Sequence, residues 1–438
     1  MVSLQDLNEN LVIQAYVGLD RRFSHLSDDN CRWLMHNFNG ATAKIARAGK
    51  EGEILISKLM PGDVIYKIYK FPKELKHLIF PTDKLLKSLQ ARKFLQFEVA
   101  QRPKGKSPQH AQKVAEASQL VLQVRKSYNL KSKATKLVEN IMDHAGQGAA
   151  DVAPLGNYVD AIVKDNLTDA MCVMAPLKQS SHTYAHCVDV AAIFAAVYFR
   201  IVAKKGRKSA FQGENEALLS GMLHDIGKGI IPKEVLESST KYEKGSAEFE
   251  MMRRHPIESK KMLDAMGMSK IMQNMALCHH IKSSGSGYSH YPEGMTYDQA
   301  SYEAKLLGII DVYQSLIGNR PYKKAWTAPS AMRYIESLAG IDYAEEIWED
   351  FRDCMGLYPK GSLVKLSDES VGFVVSLPEA DPTRPQITLI KDAEGNRPTK
   401  QELIDLNDLP DLSIAQDLDP QETLQGKALE YFANLKIA

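Results

Sequence analysis

His224 and Asp225 stand side by side at the end of an apolar stretch, in Leu223-His224-Asp225-Ile226-Gly227-Lys228. Such a pair is seldom useful there unless both side chains hold metal, because imidazole and carboxylate are ready ligands for divalent cations and unfavourable to bury unpaired. His186, His255, His279, His280 and Asp311 add five candidate ligands, each near the end or along one face of a segment that reads as helical. A set of seven exceeds what one cation takes when positions stay open for water and substrate, so at least two metals are expected. Neighbours on a helix point about 100° apart, so His224-Asp225 and His279-His280 can each serve two adjacent sites, with Asp225 the natural carboxylate bridge. Two metals roughly 3.5 to 4 Å apart suit phosphoester hydrolysis, since they activate a bridging hydroxide and clamp the phosphoryl oxygens.

Three cations accompany this set. Lys228 follows Asp225 by three residues and can place its ammonium beside a phosphate; otherwise it is a lysine favoured by a helix C-terminus. Arg320 and Lys323 can clamp phosphates, as a bidentate fork and a point charge, or simply be solvated loop cations. His182 precedes His186 by four residues and shares its helical face.

Composition limits the partners. The 438 residues hold 55 Lys and Arg against 54 Asp and Glu, so no global field recruits DNA, RNA or anionic lipid, and any anion site must be local. The polar, acidic start is unlike a secretory signal, and the longest apolar run, 188–203, is broken by Asp189 and Arg200, which argues against a membrane span. Cys31, Cys172, Cys187, Cys278 and Cys354 are scattered without a C-x-x-C pair, which argues against a disulfide framework and a structural zinc site and fits a reducing, cytoplasmic location.

The elements that must position these groups read as mainly α. Helix-like spacing of Leu11, Ala15, Trp33, Leu34 and Phe38 predicts helix over about 1–50. Strands are expected around Ile54-Leu55-Ile56 and Val64-Ile65-Tyr66 with a Pro61-Gly62 turn between, then a helix at 82–91 and a strand at 94–99, making a small α/β module. A polar, Pro-bearing linker at 102–108 leads to a helix over about 109–144, and 155–355 reads as almost entirely helical. Strand patterns return at 361–366, 371–377 and 386–390, before an Asp-rich final segment. The expected domains are 1–108, a regulatory α+β module with linker; 109–154, a connecting helix; 155–357, the catalytic domain; and 358–438, a β-rich extension.

The motif series Thr183-Tyr184-Ala185-His186, Leu223 through Lys228 with Ile231-Pro232, His255-Pro256, His279-His280 with Gly285-Ser286-Gly287-Tyr288, and Ile310-Asp311-Val312-Tyr313 with Arg320-Pro321-Tyr322-Lys323 resembles the HD-GYP group of HD-domain metal-dependent phosphohydrolases. The resemblance covers roughly 167–355, and 358–366 resembles the β extension that often follows such domains. It implies an all-helical domain holding two or three iron or manganese ions and hydrolysing cyclic di-GMP, a bacterial second messenger, to linear pGpG or GMP. Its ligands would be His186, His224, Asp225, His255, His279, His280 and Asp311. Some relatives use a carboxylate near position 182, so whether His182 binds a third metal stays open.

Two departures bear on substrate. Relatives usually carry an Asp before a Gly-x-Gly-Tyr-Pro run, whereas this chain has Ser284-Gly285-Ser286-Gly287-Tyr288 and three more residues before Pro292. Gly287 still permits close backbone approach, and Tyr288 or Tyr291 can stack on a guanine; the bland reading is a Gly and Ser surface turn. Gln314 replaces a second Asp common after Asp-Val-Tyr, without loss of Asp311. The alternatives are hydrolysis of another cyclic dinucleotide or nucleotide phosphate, and a metal-containing cyclic di-GMP receptor with little turnover. The N-terminal module would regulate the enzyme, form a homodimer or dock a partner.

Overall fold

The computed structural model describes residues 2–3, 11–17, 42–47, 50–55, 58–61, 64–69, 96–101, 108–145, 150–177, 183–236, 238, 242–286, 295–318, 325–377, 381 and 383–437. The chain divides into two compact units, Met1–Glu116 and Ala117–Ala438.

The described part of the first unit is an antiparallel sheet of β1 (Val2–Ser3), β2 (Leu11–Val17), β3 (Thr42–Arg47), β4 (Lys50–Leu55), β5 (Val64–Tyr69) and β6 (Gln96–Gln101). Its order is β1-β6-β2-β5-β3-β4. The helix expected at the start is therefore wrong at 11–17 and 42–47. Leu11-Val12-Ile13-Gln14-Ala15-Tyr16-Val17 is a short apolar run that periodicity alone cannot separate from a helix; its β-branched and aromatic residues suit the strand, which pairs with β5 on one side and β6 on the other. β3 inserts between β4 and β5, so the two expected strands are not direct neighbours. Trp33, Leu34, Phe38 and the expected helix at 82–91 lie outside the described residues.

The second unit is helical around one core. Its helices are α1 (Pro108–Ala145, continuous with the first unit), α2 (Ala153–Lys164), α3 (Thr168–Leu177), α4 (Thr183–Lys205), α5 (Glu214–Leu223), α6 (Lys233–Leu236), α7 (Ala247–Ala265), α8 (Lys270–Cys278), α9 (Tyr302–Ile317), α10 (Ala328–Glu336) and α11 (Glu345–Met355). α4 is the central member and packs against α3, α5, α9 and α11. It is long and apolar enough to cross a membrane, but 83% of its most apolar window is buried, as in a core helix.

After α11 the chain forms a second antiparallel sheet in the order β10-β9-β8-β7-β11, from β7 (Leu363–Leu366), β8 (Val371–Ser376), β9 (Gln386–Lys391), β10 (Leu403–Asp405) and β11 (Ile414–Leu418), then α12 (Pro420–Thr423) and α13 (Ala428–Ala433). This extension is tied to the helices: Arg333 meets Asp417 at 2.7 Å, and Arg125 donates to the Ala433 carbonyl at 2.6 Å.

Candidate metal centre

Five histidines reach the centre from helix ends or breaks, and in three of them the local backbone fixes which ring nitrogen faces inward. His224 and His279 cap the C-termini of α5 and α8, where the last carbonyls have no helical donor. Each ring takes one: His224 Nδ1 donates to Gly221 O at 2.7 Å and His279 Nδ1 to Ala276 O at 2.9 Å. His255 sits inside α7, but Pro256 lacks the N–H that would bond to Met252 O, and His255 Nδ1 takes that carbonyl at 2.5 Å. A carbonyl can only accept, so all three Nδ1 atoms carry hydrogen and the Nε2 lone pairs are left for metal. The Nε2 atoms of His224 and His279 are buried without a hydrogen bond.

These rings converge on two carboxylates. Asp225 presents Oδ1 to His255 Nε2 at 2.9 Å and His279 Nε2 at 3.5 Å, and Oδ2 to His224 Nε2 at 3.4 Å. Asp311, on α9, presents Oδ1 to His186 Nε2 at 2.8 Å and Oδ2 to His280 Nδ1 at 3.7 Å. Two groups of ligand atoms result, each within 4.8 Å of one another: His186, His224 and Asp225; and Asp225, His255, His279 and His280. Asp225 belongs to both, as a bridging carboxylate would. The His279-His280 pair does not divide between the groups as its spacing suggests. The helix ends at Cys278 and the chain turns, so both rings face the same side, 4.0 Å apart.

The charge pattern suits cations. Burial alone would raise both carboxyls, but Lys228, His224 and His255 hold Asp225 well below the usual carboxylate range, and His186 and His224 do so for Asp311. Burial pushes His255 down to about 4 and, with His279, lowers His280. For His224, burial is outweighed by Asp225 and Asp311, and its pKa is raised. At neutral pH His255 and His280 are therefore neutral beside ionised carboxylates, a donor set that fits divalent metal.

Lys228 ion-pairs with Asp225 from a 3-10 turn, Ile226–Ile230. Two glycines wedge that turn into place. A Cβ on Gly227 would meet His255 O on α7 at 2.4 Å, and one on Gly229 would meet Met142 O on α1 at 2.1 Å. Asp225 and Asp311 outweigh burial and raise the Lys228 pKa, so it stays an ammonium.

Sequence reading missed three side chains. Asp342, on the turn between α10 and α11, accepts from Ser286 Oγ at 3.0 Å and from Ser284 Oγ, and meets Lys282 Nζ at 2.7 Å. It anchors the start of the Gly-Tyr loop from another segment, where the loop itself lacks the expected Asp. Lys131 and Asp189 form a buried ion pair behind His186. A Lys on a helical face and an Asp inside an apolar run gave no sign of each other. His182, Gly287, Tyr288, Tyr291, Arg320 and Lys323 lie outside the described residues.

Residues 180–347 match the family model of the HD domain, and 363–426 match that of the KOW domain associated with HD domain. The chain is 29% identical over 313 residues to cyclic di-GMP phosphodiesterase PA4108 of Pseudomonas aeruginosa, covering 70% of this chain and 73% of that protein. It is 34% identical over 125 residues to the cyclic di-GMP phosphodiesterase response regulator RpfG of Xanthomonas campestris, covering 28% of this chain and 32% of that protein. Residues 180–347 are thus an HD domain, followed by the KOW domain associated with it. The chain is also 26% identical over 234 residues to 3'3'-cGAMP-specific phosphodiesterase 3 of Vibrio cholerae, covering 51% of this chain and 48% of that protein. It thus spans most of the Pseudomonas protein and half or less of the other two. HD domains are metal-dependent, and the KOW match falls on the β7–β11 sheet.

Proposed function

We propose that this chain hydrolyses cyclic di-GMP to linear pGpG and/or GMP, using two divalent ions, iron or manganese, held by His186, His224, Asp225, His255, His279, His280 and Asp311. The observation that carries this reading is the pair of buried ligand groups sharing Asp225, in a chain whose relatives include cyclic di-GMP phosphodiesterases.

The bound metals would supply an activated hydroxide and Lewis acidity toward the phosphoryl oxygens. Lys228, a permanent ammonium beside Asp225, would stabilise charge developing on the phosphate. Arg320 and Lys323 would clamp the second phosphate, Gly287 would let the loop backbone approach, and Tyr288 would stack on a guanine. The proposed parts are a catalytic domain at 155–357 reached through the connecting segment 109–154, a β extension at 358–438, and a regulatory or dimerising module at 1–108, all in the cytoplasm.

The test is incubation of anaerobically purified, iron- or manganese-loaded protein with cyclic di-GMP, with products separated by chromatography. Linear dinucleotide or GMP is expected from the parent and not from the His224→Ala/Asp225→Ala variant. Absence of product under every metal loading would reject the reading. The likeness to the Vibrio cholerae 3'3'-cGAMP enzyme favours a second substrate, so 3'3'-cGAMP belongs in the same assay; a higher kcat/KM for it would reassign the substrate and keep the chemistry.

A further inference from the structure

His186 differs from the other inward histidines in how its outer nitrogen is satisfied. It lies in the first turn of α4, where the free backbone groups are N–H donors and no carbonyl is spare. Its Nδ1 instead meets Oε1 of Gln314, from α9. An amide can offer that ring either its oxygen or its nitrogen, and only the oxygen leaves the Nε2 lone pair facing the metal group.

Asp189 settles the choice. One turn along α4, its Oδ2 accepts from Gln314 Nε2 at 3.3 Å, and a carboxylate can only accept. The NH2 end of the amide is captured and its oxygen is turned to His186. Asp189 is 1% exposed, and its Oδ1 lies 2.5 Å from Lys131 Nζ, itself 2% exposed, on α1. A buried carboxylate needs such a counter-charge.

We propose that Lys131, Asp189 and Gln314 form a positioning relay that presents His186 Nε2 to one metal of the centre. Lys131 holds Asp189 as an acceptor, Asp189 orients Gln314, and Gln314 fixes the tautomer and direction of the His186 ring. None of the three touches substrate. The proposal rests on the two-metal reading and concerns one metal only, since His255, His279 and His280 stand in the other group.

The experiment measures bound manganese per chain after gel filtration, and manganese affinity by chelator competition, for the full-length parent and for Gln314→Leu, Lys131→Met and Lys131→Arg. Gln314→Leu removes the acceptor while leaving the Lys131–Asp189 pair intact. The parent should hold two ions. Gln314→Leu and Lys131→Met should each hold one at parental affinity and the second about 10- to 100-fold more weakly, as disruption of an outer-shell partner does. Lys131→Arg, which keeps the counter-charge, should restore both. The metal-free melting temperature of Gln314→Leu separates this loss from general unfolding. If Lys131→Met fails to fold, Gln314→Leu decides. Two ions at parental affinity in Gln314→Leu would overturn the relay, whereas no metal in the parent would overturn the two-metal reading beneath it.

Discussion

His255 Nδ1 lies 2.5 Å from the carbonyl of Met252, which is free because Pro256 has no N–H to give it. The proline thus releases the acceptor that aims the ring. Pro256→Ala should restore a competing helical bond. It is expected to raise the stability of the metal-free protein by about 1 kcal/mol or more, since proline inside a helix costs roughly 3 kcal/mol. Manganese affinity should fall several-fold. Calorimetry and chelator competition on one preparation check both, and a stabilised variant with undiminished affinity would refute the role given to Pro256.

Acid should weaken the metal-free fold through His255. Its folded pKa of about 4 lies below the ordinary 6.5, so the unfolded chain binds more protons and stability falls as pH drops from about 6.5 toward 4. The buried ring sets this loss at roughly 3 kcal/mol. His224, raised in the fold, works oppositely: its contribution is present below 6.5 and lost as pH rises through its folded value. Denaturant titrations from pH 7 to 4 should show a shallower acid loss for His255→Gln than for the parent. Equal slopes would show that His255 is not the titrating group.

Lys228 already occupies an Asp225 oxygen that a metal would use. Lys228→Met should lower kcat by about 10²-fold or more through loss of charge stabilisation. Manganese affinity should be maintained or strengthened, because a competing ammonium is gone. Weaker metal binding would identify Lys228 as a support for the centre.

Asp342 should act on substrate binding. Asp342→Ala frees Lys282, Ser284 and Ser286 together, so KM for cyclic di-GMP should rise about tenfold with kcat and metal content near parental. A fall in kcat alone would contradict an anchoring role.

The candidate ligands were legible because helix ends and an internal proline leave marks in sequence: His224 and His279 follow apolar helical runs, and His255 precedes Pro256. The connecting helix was equally plain, expected at 109–144 and found at Pro108–Ala145. β2 was misread because a seven-residue apolar run gains its identity from its neighbours in the sheet. β10 and β11 went unnoticed because they are short and carry charge, with Gln416 and Ala415 exposed on an edge strand. Lys131 and Asp189 are 58 positions apart, and only the packing of α1 on α4 joins them.

That packing also bears on where a working catalytic fragment can begin. The family match opens at 180, yet Lys131 and the Met142 carbonyl against Gly229 both lie upstream of it. A polypeptide cut to its recognisable motifs would retain every candidate metal ligand and lose α1, which backs the His186 side of the pocket and walls the Lys228 turn. The smallest autonomous unit is therefore longer than its signature.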